Sequence, residues 1–395
     1  MMRSPCWIRR CLILLCHLFI IVASVASEEV KSMNEEMNFD TGLVPPAFQP
    51  LPLGSIKPEG WLLRQLQIQA QGPSGHLDEF WASVGDSAWF GGTGDAWERG
   101  PYWLDGLVPL AYVLDDELLK VKVKRFMDYI LSSQQQDGWI GPVDYSKKQD
   151  QTFSYDPWPA FVALKALTQY EEATGDERVI PAMQRFFKKL DALLDEKPLF
   201  SWGMFRWMDC VLSVHWLYER KPEPWLLELG SKIQEQGFDW QGHYADFKYK
   251  GKTLKDQTKM ETHVVNNAMA VKQAGVWFRQ SKDMADRKAV DHCLDILDQY
   301  HGTAVGTFTG DEHYAGKHPS QGTELCAVVE YMFSLENLIS FFGDVAYCDR
   351  LEKIAYNALP AQFTPDMWGH QYDQQVNQVL CIRSDDHIWE TNGPE

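Results

Sequence analysis

The chain has 395 residues, 45% of them apolar, and carries 37 Lys+Arg against 55 Asp+Glu, a net charge of −18. That length and apolar fraction supply a core for one large domain or two ordinary ones and exclude a disordered chain. The acidic balance excludes binding of nucleic acid or anionic lipid through a basic surface and leaves room for neutral ligands such as sugars.

Residues 1–27, MMRSPCWIRRCLILLCHLFIIVASVAS, have the three parts of a secretory signal: Arg3, Arg9 and Arg10, an apolar run over 12–22, and small residues before Glu28. The run is shorter than the ~20 residues that span a bilayer, so cleavage and secretion are expected, without stable membrane insertion. No later stretch reads as a membrane span. Cleavage leaves 34 Lys+Arg against 55 Asp+Glu, a net charge of −21. It also leaves five of the eight cysteines: Cys210, Cys293, Cys326, Cys348 and Cys381. An odd count in a secreted chain leaves at least one thiol unpaired or bound to metal.

Residues 28–54 are polar, then Pro-rich, and read as an extended lead-in. From Pro58 the 3.6-residue period dominates. It predicts helices over 58–71, 103–115, 117–133, 158–173, 178–195, 203–219, 223–236, 260–280, 283–299, 324–341 and 345–357, with Gly, Pro or Asp in the joining loops. Paired helices with no strands between them predict an all-α toroid over 55–395, an (α/α)6 ring whose inner helices are apolar on most sides. A helical solenoid is the rival, but no repeat of fixed length is present. Three long loops, 72–102, 134–157 and 300–323, mix Asp or Glu with Trp or Tyr and Gly. Loops of that length inside a compact domain are usually functional. Their composition suits a polar neutral ligand held against aromatic faces, although aromatics also serve simply to stiffen loops. The 16 Trp divide in the same way, and most are expected in the core.

The third loop runs into a helix through TGDEHYAGKHPSQGTELCAVVEYMFSLEN, residues 309–337. Glu324 at the helix start reads as an N-cap residue beside Thr323. Cys326, two residues on, adds a second reading, because a carboxylate and a thiolate so placed can both face one cation, and Zn²⁺ takes O and S ligands. By residue type this is two ligands of the four a tetrahedral site needs. His313 and His318 flank a turn and read as solvated or substrate-contacting. His263, at the start of the apolar stretch METHVVNNAMAVKQAGVWF, is either a satisfied core histidine or a donor into the funnel. Asn266 and Asn267 beside it favour the second.

The segments PLGSIKPEGWLLRQLQIQAQG (52–72), WERGPYWLDGLVPLAY (97–112), QQQDGWIGP (134–142), THVVNNAMA (262–270), GDEHYAG (310–316) and GTELCAVVEY (322–331) together resemble glycoside hydrolase family 127, the β-L-arabinofuranosidase-like proteins. The resemblance implies a toroidal catalytic domain acting on a carbohydrate with retention. It also implies a cysteine nucleophile kept ionised by a Zn²⁺ held by one Glu and three Cys, with a second Glu as acid/base. On that pattern Glu324 and Cys326 match the metal-binding E-x-C, Glu312 the acid/base, His263 a substrate-binding histidine, and Tyr372 in WGHQYDQQ the tyrosine beside the nucleophile.

The chain departs from the pattern in two ways. The loop between Glu312 and Glu324 is shorter, and there is no Cys-Cys pair, because Cys381 stands alone in an apolar run and reads as buried. The β-sandwich that follows the toroid in the family is also missing, so the chain reads as a catalytic-type domain incomplete at its C-terminus. The expectation is therefore a secreted glycosidase with two of its four zinc ligands in view. The alternative is a catalytically incomplete sugar-binding or scaffold form of the toroid. Hydrolysis by two carboxylates would need a partner for Glu312, with Asp311, Asp105 and Glu98 as candidates. A polysaccharide lyase ranks last, since the loops offer few arginines beyond Arg99 and Arg206.

Overall fold

The computed structural model describes residues 42–142 and 156–378. The expected signal, most of the lead-in, part of the second long loop and Cys381 lie outside the described residues. The chain divides into a short unit, Met1–Val44, and a main unit from Pro45 onward, which holds everything discussed below.

The main unit is a ring of antiparallel helix pairs. Helix Arg99–Leu114 packs on Trp158–Thr174, that on Trp207–Arg220, that on Gln273–Ser281, and that on Leu325–Phe342. Each has an outer partner: Glu117–Ser132, Val179–Glu196, Pro224–Gln236, Met284–Tyr300 and Val345–Lys353 respectively. Helix Gly60–Gln71 packs against Arg99–Leu114.

The division into inner and outer follows from the sequence. Outer helix Val179–Glu196 buries one stripe, Val179, Ala182, Met183, Phe186, Phe187, Leu190 and Leu194, at i, i+3, i+4 spacing. Inner helix Trp158–Thr174 buries nearly every residue from Trp158 to Leu167, because neighbours cover it on several sides. At the centre of the ring the inner helices exchange polar contacts. Tyr102 Oη donates to Glu330 Oε1 at 3.0 Å. Lys165 pairs with Asp105 at 3.0 Å and the buried Lys272 with Asp209 at 3.1 Å.

Five expectations need correction. The first long loop, 72–102, carries a helix, Pro73–Phe80, and the segment 203–219 is broken at Arg206, between Ser201–Phe205 and Trp207–Arg220. The segment 260–280 is not one helix: a 3₁₀ turn, Met260–Thr262, leads into Val264–Ala270, and the helix resumes at Gln273–Ser281. Strands are present. β1 (Gly310–Asp311), β2 (His313–Tyr314), β3 (Gly322–Glu324) and β4 (Asp373–Gln375) form one sheet in the order β2-β1-β3-β4, with β1 and β3 parallel and the other pairs antiparallel. At two or three residues each, they are too short for a two-residue alternation to show in sequence. Finally, helix Leu325–Phe342 is long and apolar enough to cross a membrane by length and composition. Its apolarity has a use inside the ring. One face, including Ala327, Val328, Leu335 and Leu338, is buried, and the other, through Val329, Phe333 and Ile339, lines an open groove of about 610 Å³ shared with Leu351 and Tyr356.

Candidate active site

The small sheet lies over the N-terminal ends of helices Val264–Ala270 and Leu325–Phe342 and brings four of the five expected site residues into direct contact. Glu312 is the hinge of the group. It is the single residue between β1 and β2, with φ at 61°, a left-handed conformation that costs a non-glycine residue roughly 1–2 kcal/mol. Four contacts hold it there. Its carbonyl accepts from Val264 N at 2.9 Å, and its N–H donates to Glu324 Oε2 at 2.9 Å. Its carboxylate accepts from His263 Nε2 at 3.1 Å through Oε2 and from the Tyr372 hydroxyl through Oε1.

His263 satisfies both readings of it. It is buried, and its Nδ1 caps helix Val264–Ala270 by accepting from Asn266 N at 3.4 Å. That contact puts the imidazole proton on Nε2, aimed at Glu312. Burial lowers the His263 pKa, so the ring is neutral. The hydrogen bonds from His263 and Tyr372 outweigh burial at Glu312 and hold its pKa down at about 2. Burial and the Glu312 charge push Glu324 the other way, to about 8. Two carboxylates joined through one backbone N–H thus have opposite proton affinities. Burial and the nearby carboxylates raise Tyr372.

Glu324 is the N-cap residue of its helix, but its side chain caps nothing there. Its carboxylate is turned to Glu312 instead, which overturns the capping reading. Cys326, in the first turn, keeps accessible surface, while burial and Glu324 push its thiol up to about 12. Together they offer one oxygen and one sulfur donor, a mixture that suits zinc. Among the described residues no group of three or more His, Cys, Asp or Glu side chains gathers to complete a site. The fit is therefore that of half a ligand set.

Other residues have partners of their own. His313 meets the His263 ring edge-on at 5.9 Å and pairs with Thr262 Oγ1 at 2.8 Å, and the exposed His318 pairs with Ser320. Asn266 and Asn267 do not reach the funnel. Both are fully buried, and their amides are consumed by Arg206, Met260, Tyr244, Tyr314, Glu261 and the His263 carbonyl. Asp105 is tied to Lys165 and Asp311 is buried. Cys210 and Cys293 are buried free thiols, and Cys348 is half-buried and free.

The structure adds a wall that sequence reasoning did not assemble. Arg206 lies between the rings of Trp158 and Trp202, 4.4 Å from each, and donates to Asn266 Oδ1 at 2.8 Å. The Trp202 ring meets His263 edge-on at 5.2 Å. The signal available in sequence was a single arginine embedded in aromatics, SWGMFRW at 201–207.

Close packing fixes the sheet on the helix below. A Cβ on Gly310 would come within 2.1 Å of Val264 Cγ1 and 2.8 Å of the His313 carbonyl. Gly310→Ala is expected to cost about 1–3 kcal/mol by overpacking, read as a lowered urea midpoint at unchanged slope.

Residues 56–378 match the family model described as Beta-L-arabinofuranosidase, GH127 catalytic domain. The chain belongs to the GH127 catalytic-domain family. Among solved structures, this GH127 domain is similar to a GH127 beta-L-arabinofuranosidase from Geobacillus stearothermophilus T6, at TM-score 0.61 and 14% identity over 81% of this chain and 58% of that one. A second GH127 beta-arabinofuranosidase aligns at TM-score 0.63 and 14% identity, over 85% and 58%. An unsaturated glucuronyl hydrolase from Streptococcus agalactiae aligns at TM-score 0.56 and 9% identity, over 83% and 88%. At these identities the likeness is one of fold, and it places the ring among the helical toroids. The chain spans under three fifths of the two GH127 structures. No curated protein sequence matches it.

Proposed function

We propose that this GH127 domain is the catalytic part of a secreted, retaining glycoside hydrolase of the β-L-arabinofuranosidase type, with Glu312 as acid/base and His263 and Tyr372 binding the sugar. The observation that carries the reading is the Glu312 carboxylate, held on both oxygens by His263 and Tyr372 and forced into a strained turn that keeps it half-open to ligand. Strain of this kind persists where surrounding contacts over-determine it, as at working sites. Family membership supports a glycosidic substrate, and the net acidity accords with a neutral one.

Glu324 and Cys326 would hold zinc as two of four ligands, and a zinc ion so bound keeps a thiolate ionised as a nucleophile. The chain's own residues set up the proton chemistry. His263, locked with its proton on Nε2, orients Glu312, and Tyr372 fixes the other oxygen. A ligand hydroxyl that displaces either donor takes its place on the same carboxylate.

A second reading, a non-catalytic sugar-binding toroid, would use the same His263, Glu312 and Tyr372 to hold a sugar without turnover. The test combines hydrolysis of an aryl β-L-arabinofuranoside with metal content per chain. Glycosidase function predicts turnover and bound zinc. Glu324→Gln should then lose the zinc, while Glu312→Gln keeps it. Sugar binding without turnover supports the second reading, and equal zinc loss in both variants removes the division of roles.

A further inference from the structure

One carboxylate beside this site has no part in the proposed chemistry. Glu98 precedes helix Arg99–Leu114, yet its side chain caps none of that helix's N–H groups. Oε2 instead accepts from Trp158 Nε1 and from Arg206 Nη1, the latter at 3.5 Å. Oε1 has no hydrogen-bond partner among the described residues, and 29% of the side chain is open to solvent.

The residues that hold Glu98 are themselves fixed. The Arg206 side chain is 5% exposed, clamped by Trp158 and Trp202. The backbones carrying those two rings are tied to one buried carboxylate, since Asp156 accepts from Trp158 N at 3.1 Å, Trp202 N at 3.2 Å and Gly203 N at 3.1 Å. Trp202 leads directly to His263, and the Glu98 charge acts on that imidazole. Glu98 thus stands on the same wall as the His263–Glu312 pair, rigid on one oxygen and open on the other. An isolated surface glutamate would keep its rotamer freedom, and ordering it on a ligand would cost affinity. Here that cost is met by folding.

We propose that Glu98 is a second sugar-binding carboxylate of this site, accepting a hydrogen bond from a ligand hydroxyl through Oε1, with Arg206 as its positioning residue. The proposal rests on the carbohydrate reading above and names one polar contact that selects the ligand. A fixed anionic acceptor favours a hydroxyl at one position and rejects an analogue that lacks it, because the desolvated carboxylate is then left unpaired.

The experiment is equilibrium binding to the intact chain, followed by tryptophan fluorescence, with methyl β-L-arabinofuranoside, its singly deoxygenated analogues, and the α-anomer and pyranoside forms as a panel. Glu98→Gln keeps an oxygen for Trp158 and the shape of the side chain. The expected result is a Kd raised about 10- to 100-fold, the loss typical of a hydrogen bond to a charged group. Removing one particular ligand hydroxyl should weaken wild type by a similar factor and Glu98→Gln by less than twofold. That ligand-side arm keeps the test valid if the variant folds poorly. A Glu98→Gln Kd within twofold of wild type, with the arabinofuranoside bound, overturns the role of Glu98 and leaves the proposed function standing. Glu98-dependent binding of another panel member in place of the arabinofuranoside supports Glu98 and overturns the arabinofuranosidase assignment. Binding of none overturns both.

Discussion

Glu312→Gln is expected to lower kcat for an aryl β-L-arabinofuranoside by about 10²- to 10⁴-fold, the range general acid–base groups contribute, with an unchanged unfolding midpoint. The second half of that statement follows from the hydrogen bonds. The glutamine amide can turn its oxygen to His263 Nε2 and its NH₂ to the Tyr372 hydroxyl oxygen, so the imidazole keeps its acceptor, and the exposed phenol can turn its own proton to water. The backbone contacts to Val264 and Glu324 do not involve the side chain of residue 312. What is lost is the ability to carry a proton to or from the ligand. Matched steady-state kinetics and urea unfolding on the two proteins check both halves. Turnover retained above one tenth of wild type would remove Glu312 from the acid/base role, and a large drop in midpoint would show that the substitution acted on the turn.

The helices were legible because each outer one carries a stripe that only a 3.6-residue period explains, as in Val179–Glu196. Inner helix Trp158–Thr174 was legible for a cruder reason, its nearly continuous apolar run. The sheet was not legible, because Gly310–Asp311 and Gly322–Glu324 have no periodicity to read, and their pairing joins segments that are separate in sequence.

The same limit governed the site. That Glu312 and Glu324 interact could be suspected from twelve residues of separation. The resemblance placed Tyr372 beside a nucleophile, and only the structure shows that this residue, sixty positions away, closes on Glu312. Asn266 and Asn267 were misread because polar residues on an apolar helix suggest a function in sequence, whereas in the fold they satisfy the buried backbone around a 3₁₀ turn. Glu98 was one name among three candidate carboxylates. Asp105 and Asp311 drop out only when their partners and burial are seen.

Asn267→Leu is expected to be the most damaging of the conservative-volume substitutions near the site, destabilising the domain by about 3–5 kcal/mol. Asn267 has no accessible surface and spends every polar atom of its amide. Oδ1 accepts from Tyr244 Oη at 2.7 Å and from the Tyr314 hydroxyl, and Nδ2 donates to the carbonyls of Glu261 and His263 at 2.9 and 2.8 Å. Leucine fills the volume but leaves two phenols and two carbonyls without that partner. Each buried group so orphaned costs about 1–3 kcal/mol, reduced here because Tyr244 and Tyr314 lie close enough to interact with one another. Urea unfolding followed by far-UV circular dichroism gives the number, and a loss below 1 kcal/mol would show that the phenols re-pair in full. The carbonyls at stake belong to the turn that presents His263. A variant that stays folded at low temperature should therefore bind the arabinofuranoside more weakly than wild type, although Asn267 never touches the ligand. A normal Kd in the folded variant would mean that the cap from Asn266 N to His263 Nδ1 holds the imidazole without help from below.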